Sequence, residues 1–147
     1  MKKWKFTLES VQFLKNKIEQ EAAQKHAHAL MEVSRAKAAL VETEKELNAA
    51  ALLQYTAGKK SSDLLQLSQY ITALERVRRD RLEKCLRAER DSTLARAALE
   101  KAAREREILD QLRDKQHSQH RFHVARQEQQ WIDELALKMK RGMLAAL

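Results

Sequence analysis

The 147-residue sequence contains no proline and only two glycines. Few sites are therefore available for the turns that fold a chain into a compact sheet or a globule of many helices. The aromatic residues are two tryptophans, two tyrosines and three phenylalanines, whereas charged residues make up 34% of the chain. This composition is typical of long helices that meet along a narrow interface.

The sequence also lacks a long apolar run and a pair of cysteines. No apolar stretch approaches the ~18–20 residues that a membrane span requires. The basic opening residues 1–6 are followed by Thr7-Leu8-Glu9-Ser10 and not by the apolar core of a secretory signal. The single cysteine, Cys85, cannot form a disulfide within the chain. We therefore expect a soluble cytoplasmic protein with no direct membrane insertion.

One break interrupts the helical pattern, at residues 56–63. Gly58 suits the left-handed position that follows a helix. Asp63, with Gln66 three residues later, resembles a cap at the start of a new helix. The sequence therefore predicts a first helix at about residues 8–55, a turn at 56–63 and a second helix at about 64–140.

The outer ends of the two helices carry their own signals. Thr7 can cap the first helix, with Phe6 and Val11 placed as a hydrophobic staple across it. Gly142 is expected to end the second helix near residue 140.

Each predicted helix carries one apolar stripe. The stripe of the first helix follows a period of about 3.6 residues, and that of the second is closer to 3.5. The first stripe comprises Val11, Leu14, Ile18, Ala22, Ala29, Val33, Ala36, Leu40, Leu47 and Ala50. The second comprises Leu67, Ile71, Leu74, Cys85, Ala88, Ala95, Leu99, Ala102, Leu109 and Leu112.

The turn is too short to carry the chain back along a helix of about 70 Å, so the two helices must be antiparallel. The predicted fold is all-α: a two-helix antiparallel coiled coil, or helical hairpin, with a longer, overhanging second helix. Residues 1–147 are expected to form one such unit. Pairing should end near residue 111, which leaves an overhang that contains Phe122, Trp131, Ile132, Leu135, Leu137 and Met139.

No constellation of residues in the sequence indicates catalysis or metal binding. His117, His120 and His123 are close in sequence, but no cysteine or well-placed carboxylate completes a tetrahedral set. The serines lack a glycine elbow, and the two glycines are too far apart for a phosphate-binding loop. We expect no enzyme activity, no metal and no cofactor.

Positive charge is the main electrostatic feature of the chain. The net charge is +8, and the densest cluster lies at residues 76–81. A positive balance favours anionic partners, including acidic proteins, RNA and a membrane surface. The arginines of the cluster point all around the helix axis, however, and no aromatic residues alternate with them as base-stacking platforms. No nucleic-acid partner is expected.

Tyr70, Leu74, Val77 and Arg81 form a stripe just after the turn, spaced i, i+4, i+7 and i+11. In one interpretation these are ordinary positions of the helix interface. In the other, Tyr70 and Val77 flank the interface and present an apolar edge to a partner. Spacing alone favours the first interpretation.

Three local motifs, taken in order along the chain, resemble the FliJ family of flagellar type III export proteins. The resemblance covers nearly the whole chain, including its helix–loop–long-helix plan. The motifs are Lys3-Trp4-Lys5-Phe6-Thr7-Leu8-Glu9, Leu67-Ser68-Gln69-Tyr70-Ile71-Thr72-Ala73-Leu74-Glu75 and Gln130-Trp131-Ile132-Asp133-Glu134-Leu135-Ala136.

The resemblance implies a component of the flagellar export apparatus, shaped like the central stalk of a rotary ATPase. Members of the family insert into the hexameric ring of the export ATPase and promote its assembly and hydrolysis. They also contact the cytoplasmic domain of the membrane-embedded export gate and handle export chaperones. The implied location is the cytoplasm, with peripheral association at the inner membrane of the flagellar base. Carried over, the gate contact falls on Tyr70, Leu74, Val77 and Arg81.

We further expect the terminal end of the hairpin, residues 1–20 and 112–141, to enter the ATPase ring, because a ring would cover the apolar overhang. The free chain is expected to be a monomer. The residues expected to contact the ring are Trp4, Phe6, Trp131, Ile132, Asp133, Glu134 and Leu135. The alternatives are the stalk protein of a virulence injectisome, a self-associating structural coiled coil and, third, a nucleic-acid-binding arm.

Overall fold

The computed structural model describes residues 3–56 and 60–147. They form two α-helices, α1 (Glu9–Tyr55) and α2 (Ser61–Ala145), which pack against each other. The predicted all-α helical hairpin is therefore confirmed. Gly58, expected to follow the first helix, lies outside the described residues.

The starts of both helices differ from the predicted caps. The Gln12 amide donates to the Leu8 carbonyl at 2.9 Å, so Leu8 and not Thr7 occupies the N-cap of α1. The amides of Asp63 and Leu64 both donate to the Lys60 carbonyl, at 3.0 and 3.1 Å. Asp63 therefore lies within the first turn of α2, where its carboxylate faces the positive end of the helix dipole.

The second helix also continues past the predicted end. Gly142 lies inside α2, and its carbonyl accepts a hydrogen bond from the Ala146 amide at 3.1 Å. An interior glycine costs a helix only about 1 kcal/mol relative to alanine. The leucine, methionine and alanine residues around Gly142 favour helix and offset that cost.

The chain divides into two compact units. One consists of Met1–Lys17 and Ala103–Leu147, and we call it the terminal unit; the other, Ile18–Ala102, we call the central unit. Each contains a stretch of α1 and a stretch of α2, and each is described by itself below.

In the central unit the interface residues of both helices alternate in steps of three and four. The protected positions on α1 include Glu19, Ala22, His26, Ala29, Val33, Ala36, Leu40, Thr43, Leu47 and Ala50. On α2 they include Leu67, Ile71, Leu74, Arg81, Cys85, Ala88, Ser92, Ala95, Leu99 and Ala102. Alternating steps of three and four give a seven-residue repeat, so α1 follows a period of 3.5 and not the predicted 3.6.

The seven-residue repeat explains why three predicted interface residues are exposed. Ile18 lies beside the interface of the central unit, where Glu19 takes its place. In the terminal unit Val11 and Leu14 are exposed, while Gln12 is buried and Lys15 is half-buried. The remaining predicted interface residues of both helices are protected from solvent.

Polar bonds join the two helices of the terminal unit. The Gln12 Nε2 donates to the Asp110 Oδ1 at 2.6 Å, and the Lys15 amine donates to the Glu105 Oε2 at 2.8 Å. These partners satisfy side chains that would otherwise be costly to bury. They also show that α1 and α2 run antiparallel, because the α2 partner number falls as the α1 number rises.

Candidate functional site

The Tyr70–Arg81 stripe divides into two pairs in the central unit. Leu74 is only 7% exposed and belongs to the helix interface. Tyr70 and Val77 are 51% and 39% exposed and lie on the surface of α2. Arg81 is half-buried. Tyr70 and Val77 therefore lie on an exposed edge of α2, and Leu74 and Arg81 lie at the helix interface. Contact of the exposed edge with a partner stays a prediction.

Arg81 is held by the facing helix. One of its terminal nitrogens, Nη1, donates to the Ala39 carbonyl at 2.9 Å and also to the Thr43 hydroxyl. The Thr43 hydroxyl in turn donates to the same Ala39 carbonyl at 3.0 Å. Thr43 is 0% exposed, which makes this bonded cluster one of the best-protected points of the central unit.

Thr43 was missed by the sequence analysis because a threonine in an apolar stripe carries little signal. Its position could have been found from the seven-residue repeat, which passes from Leu40 to Thr43 and Leu47. Spacing favoured an interface position for Arg81 and the family resemblance implied a gate contact, but neither predicted its hydrogen bonds to Ala39 and Thr43.

A groove lies beside the Arg81 cluster and holds about 500 Å³. Its floor is formed by alanines of both helices, whose small side chains leave the space open. The rim carries charged residues. Those lining the groove are His28, Ala29, Glu32, Arg35, Ala36, Ala39, Arg81, Lys84, Arg87, Ala88 and Asp91.

Trp4 and Phe6 pack within the terminal unit ahead of α1. Phe6 is buried, and the Trp4 ring lies 6.3 Å from it, centroid to centroid. The Trp4 and His117 rings also pack in a T-shaped arrangement, with their centroids 4.7 Å apart. The segment before α1 thus extends the contact with α2 to at least His117, beyond the point near residue 111 where the two helices themselves are predicted to stop pairing.

The end of α2 is bare. Every residue after Val124 is exposed, and Trp131 keeps 65% of its surface in contact with solvent. Ile132 and Leu135 are exposed beside it. Asp133 accepts a hydrogen bond from Gln129 at 3.0 Å, and Glu134 is exposed.

The structure does not bring the two halves of the expected ring-binding site together. Trp4 meets His117, and Trp131 lies 14 residues further along α2, a distance of about 21 Å at the rise of an α-helix. Trp4 and Phe6 serve packing in this unit, whereas Trp131, Ile132 and Leu135 form an exposed apolar surface.

One carboxyl group of the terminal unit, that of Asp110, has a lowered pKa. The hydrogen bond from Gln12 holds the pKa of Asp110 below its usual value, and the nearby guanidinium of Arg106 lowers that pKa further. The Arg106 nitrogen lies 2.6 Å from the Asp110 Oδ2. Partial burial of the carboxyl acts in the opposite direction.

Within residues 3–56 and 60–147, no three His, Cys, Asp or Glu side chains are grouped so that they could hold a metal ion. His117, one of the three histidines noted in the sequence, is engaged by the Trp4 ring. Over the same residues, no helix is sufficiently long and apolar to cross a membrane.

Two long antiparallel helices, an exposed edge on α2 and a bare apolar helix end define a coiled-coil interaction protein. The family model described as the flagellar FliJ protein matches residues 4–142. The chain therefore belongs to the FliJ family, and it is a coiled-coil protein associated with flagellar protein export. Comparison with curated proteins and with solved structures gives no match.

Proposed function

We propose that the chain acts as a stalk for the flagellar export ATPase, with the bare end of α2 inside the hexameric ring. The main support for this placement is the exposed apolar surface after Val124, which contains Trp131, Ile132 and Leu135. A contiguous apolar surface of this kind marks a protein-binding site. Membership of the FliJ family supports the ATPase as the partner.

Charge supports the same placement. Residues 135–147 contain Lys138, Lys140 and Arg141 and no acidic residue. These cations are suited to meet carboxylates at the mouth of a ring, in a contact that weakens as salt is added. By promoting ring assembly, the stalk would raise the rate of ATP hydrolysis.

A second part of the proposal concerns the central unit. Tyr70 and Val77 contact the cytoplasmic domain of the export gate, because they are exposed apolar residues on one edge of α2. The protein also handles export chaperones, a role that rests on family membership alone. It acts in the cytoplasm at the flagellar base, peripherally associated with the inner membrane.

The ring contact is tested by removing residues 125–147, none of which is protected within the terminal unit. We expect this deletion to abolish stimulation of the cognate export ATPase while the remaining helices stay folded. Hydrolysis with and without each variant is the measurement, and circular dichroism checks the fold.

A point variant and a matched control make the same test sharper. Ile132→Ser should reduce stimulation by about tenfold, the effect of losing one central apolar contact. Ile108→Ser changes an isoleucine of α2 that is 64% exposed, against 53% for Ile132, and that lies outside the bare end; it should leave stimulation unchanged. Full stimulation by the deletion variant, or equal losses from both serine variants, would contradict the proposed placement.

A further inference from the structure

Lys84 lies on the same face of α2 as Tyr70 and Val77. The three residues are spaced by seven, and residues seven apart share one position in a helix with a seven-residue repeat. Lys84 is exposed on the rim of the groove. No side chain among the described residues forms a hydrogen bond or ion pair with it.

This face is the open flank of the central unit. Lys84 immediately precedes the interface residue Cys85, whereas Glu89 immediately follows the interface residue Ala88. The two therefore lie on opposite flanks of the interface. Glu89 is bound across the helices by Lys37 at 3.3 Å, so an ion pair crosses one flank and the alanine-floored groove opens on the other.

Arg81, by contrast, is turned inward. Its hydrogen bonds to the Ala39 carbonyl and the Thr43 hydroxyl tie α2 to α1 between Val77 and Lys84. Both hydrogens of Nη1 are used in these bonds, and the half-buried side chain is held toward α1 rather than toward a second protein. By holding α2 to α1, Arg81 fixes the position of α1 relative to the face that carries Tyr70, Val77 and Lys84.

From this geometry we infer that Lys84 supplies the charged contact of the Tyr70–Val77 face, and that Arg81 is a positioning residue. This inference rests on the proposed contact with the export gate. The matching surface on the cytoplasmic domain of the gate is an apolar patch beside a carboxylate. Tyr70, Val77 and Lys84 then form one continuous recognition surface, and neither Leu74 nor Arg81 touches the partner.

The first experiment removes the charge of Lys84. Binding of the full chain to the purified cytoplasmic domain of the gate is measured by calorimetry at low and high salt. Lys84→Met should weaken binding by about threefold to tenfold at low salt and should flatten the salt dependence, since an exposed charge pair is screened by salt. Lys45→Met, at an exposed lysine of α1, is the matched control and should bind like the unchanged chain.

Unchanged binding by Lys84→Met would overturn the role of Lys84. Tyr70→Ala serves as the reference in the same assay, because it tests the gate contact without touching any charge. If the unchanged chain fails to bind the gate domain, the proposed gate contact is wrong and the role of Lys84 is overturned with it.

The second experiment separates positioning from direct contact. Arg81→Met should lower both the melting temperature and gate affinity while leaving the salt dependence of binding as it is in the unchanged chain. Thr43→Val should act in the same direction. The double variant should be no worse than Arg81→Met, because both changes break one cluster.

Leu99→Ala controls for a general loss of stability, since it weakens the central-unit interface far along α2 from Tyr70. It should lower the melting temperature and leave gate affinity unchanged at temperatures well below the melt. If Leu99→Ala lost as much affinity for the gate domain as Arg81→Met, Arg81 would contribute only to stability. An Arg81→Met variant that melts normally yet loses the salt dependence would show direct contact instead.

Thermal melts also test, without the gate domain, whether Arg81 and Thr43 act as one cluster. The Arg81 and Thr43 changes must be non-additive in stability whether or not the gate domain binds. Additive losses would overturn the cluster and leave the proposed function untouched.

Discussion

Gln12 is buried at the helix interface of the terminal unit although apolar residues stand next to it in the sequence. Its amide nitrogen reaches the Asp110 carboxylate, and a hydrogen bond to a charged group is stronger than one between neutral groups. Lys15 is paired in the same way with Glu105. Polar residues can therefore occupy this interface because each has a partner on the facing helix.

Asp110 makes the stability of the terminal unit dependent on pH. Its pKa is lowered in the folded chain, chiefly by Gln12, so its ionised form stabilises the fold at pH values above about 4, the ordinary value of an aspartate. This contribution is lost as the pH falls through the lowered pKa. Because the side chain is 36% exposed, we expect a contribution of only about 0.5–1 kcal/mol.

Asp110→Asn tests this expectation in thermal melts between pH 7 and pH 3. The variant should melt at a lower temperature at pH 7, and its melting temperature should fall less on acidification than that of the unchanged chain. Asp114→Asn, at an exposed aspartate one turn later, should follow the unchanged chain at every pH. Parallel acid curves for Asp110→Asn and the unchanged chain would contradict the assignment.

At the scale of the helices, the number, type and approximate bounds were predictable from sequence. The absence of proline and the spacing of alanines and leucines determined them. Helix ends were less predictable. Gly142 was expected to terminate α2, but the helix continues to Ala145 because one glycine costs less than the surrounding residues contribute.

The start of the α1 interface could not be predicted from apolar residues. Val11, Leu14 and Ile18 form an apolar stripe, yet the seven-residue repeat that fits Ala22 and Ala29 continues back through Glu19 and Lys15. Choosing between the two registers requires knowledge of the polar partners on α2, which are about 90 residues away in sequence. The same limitation concealed the contact between Arg81 and Thr43.

At the scale of the whole molecule, the exposed apolar end of α2 favours association of the chain with a partner or with a second copy of itself. The net charge of +8 opposes self-association, because like-charged copies repel each other. The alternative to the stalk proposal is a self-associating coiled coil, in which residues 125–147 of two copies cover each other. The FliJ family match favours a different protein as the cover.

A sizing experiment distinguishes these explanations. At low micromolar concentration we expect the chain alone to have the mass of a monomer, 17.1 kDa, by light scattering. Mixed with the export ATPase and nucleotide, it should elute with a ring-sized species. A stable dimer that is lost on deletion of residues 125–147 would instead establish self-association through the bare end.

The burial of Cys85 makes its thiol a chemical probe of helix separation in the central unit. It is the only cysteine in the sequence, and its sulfur is enclosed between α1 and α2. A thiol reagent can reach it only when the two helices separate, so the rate of alkylation measures how often they part. Partner proteins that hold the helices together slow the alkylation of Cys85, and partners that separate the helices accelerate it.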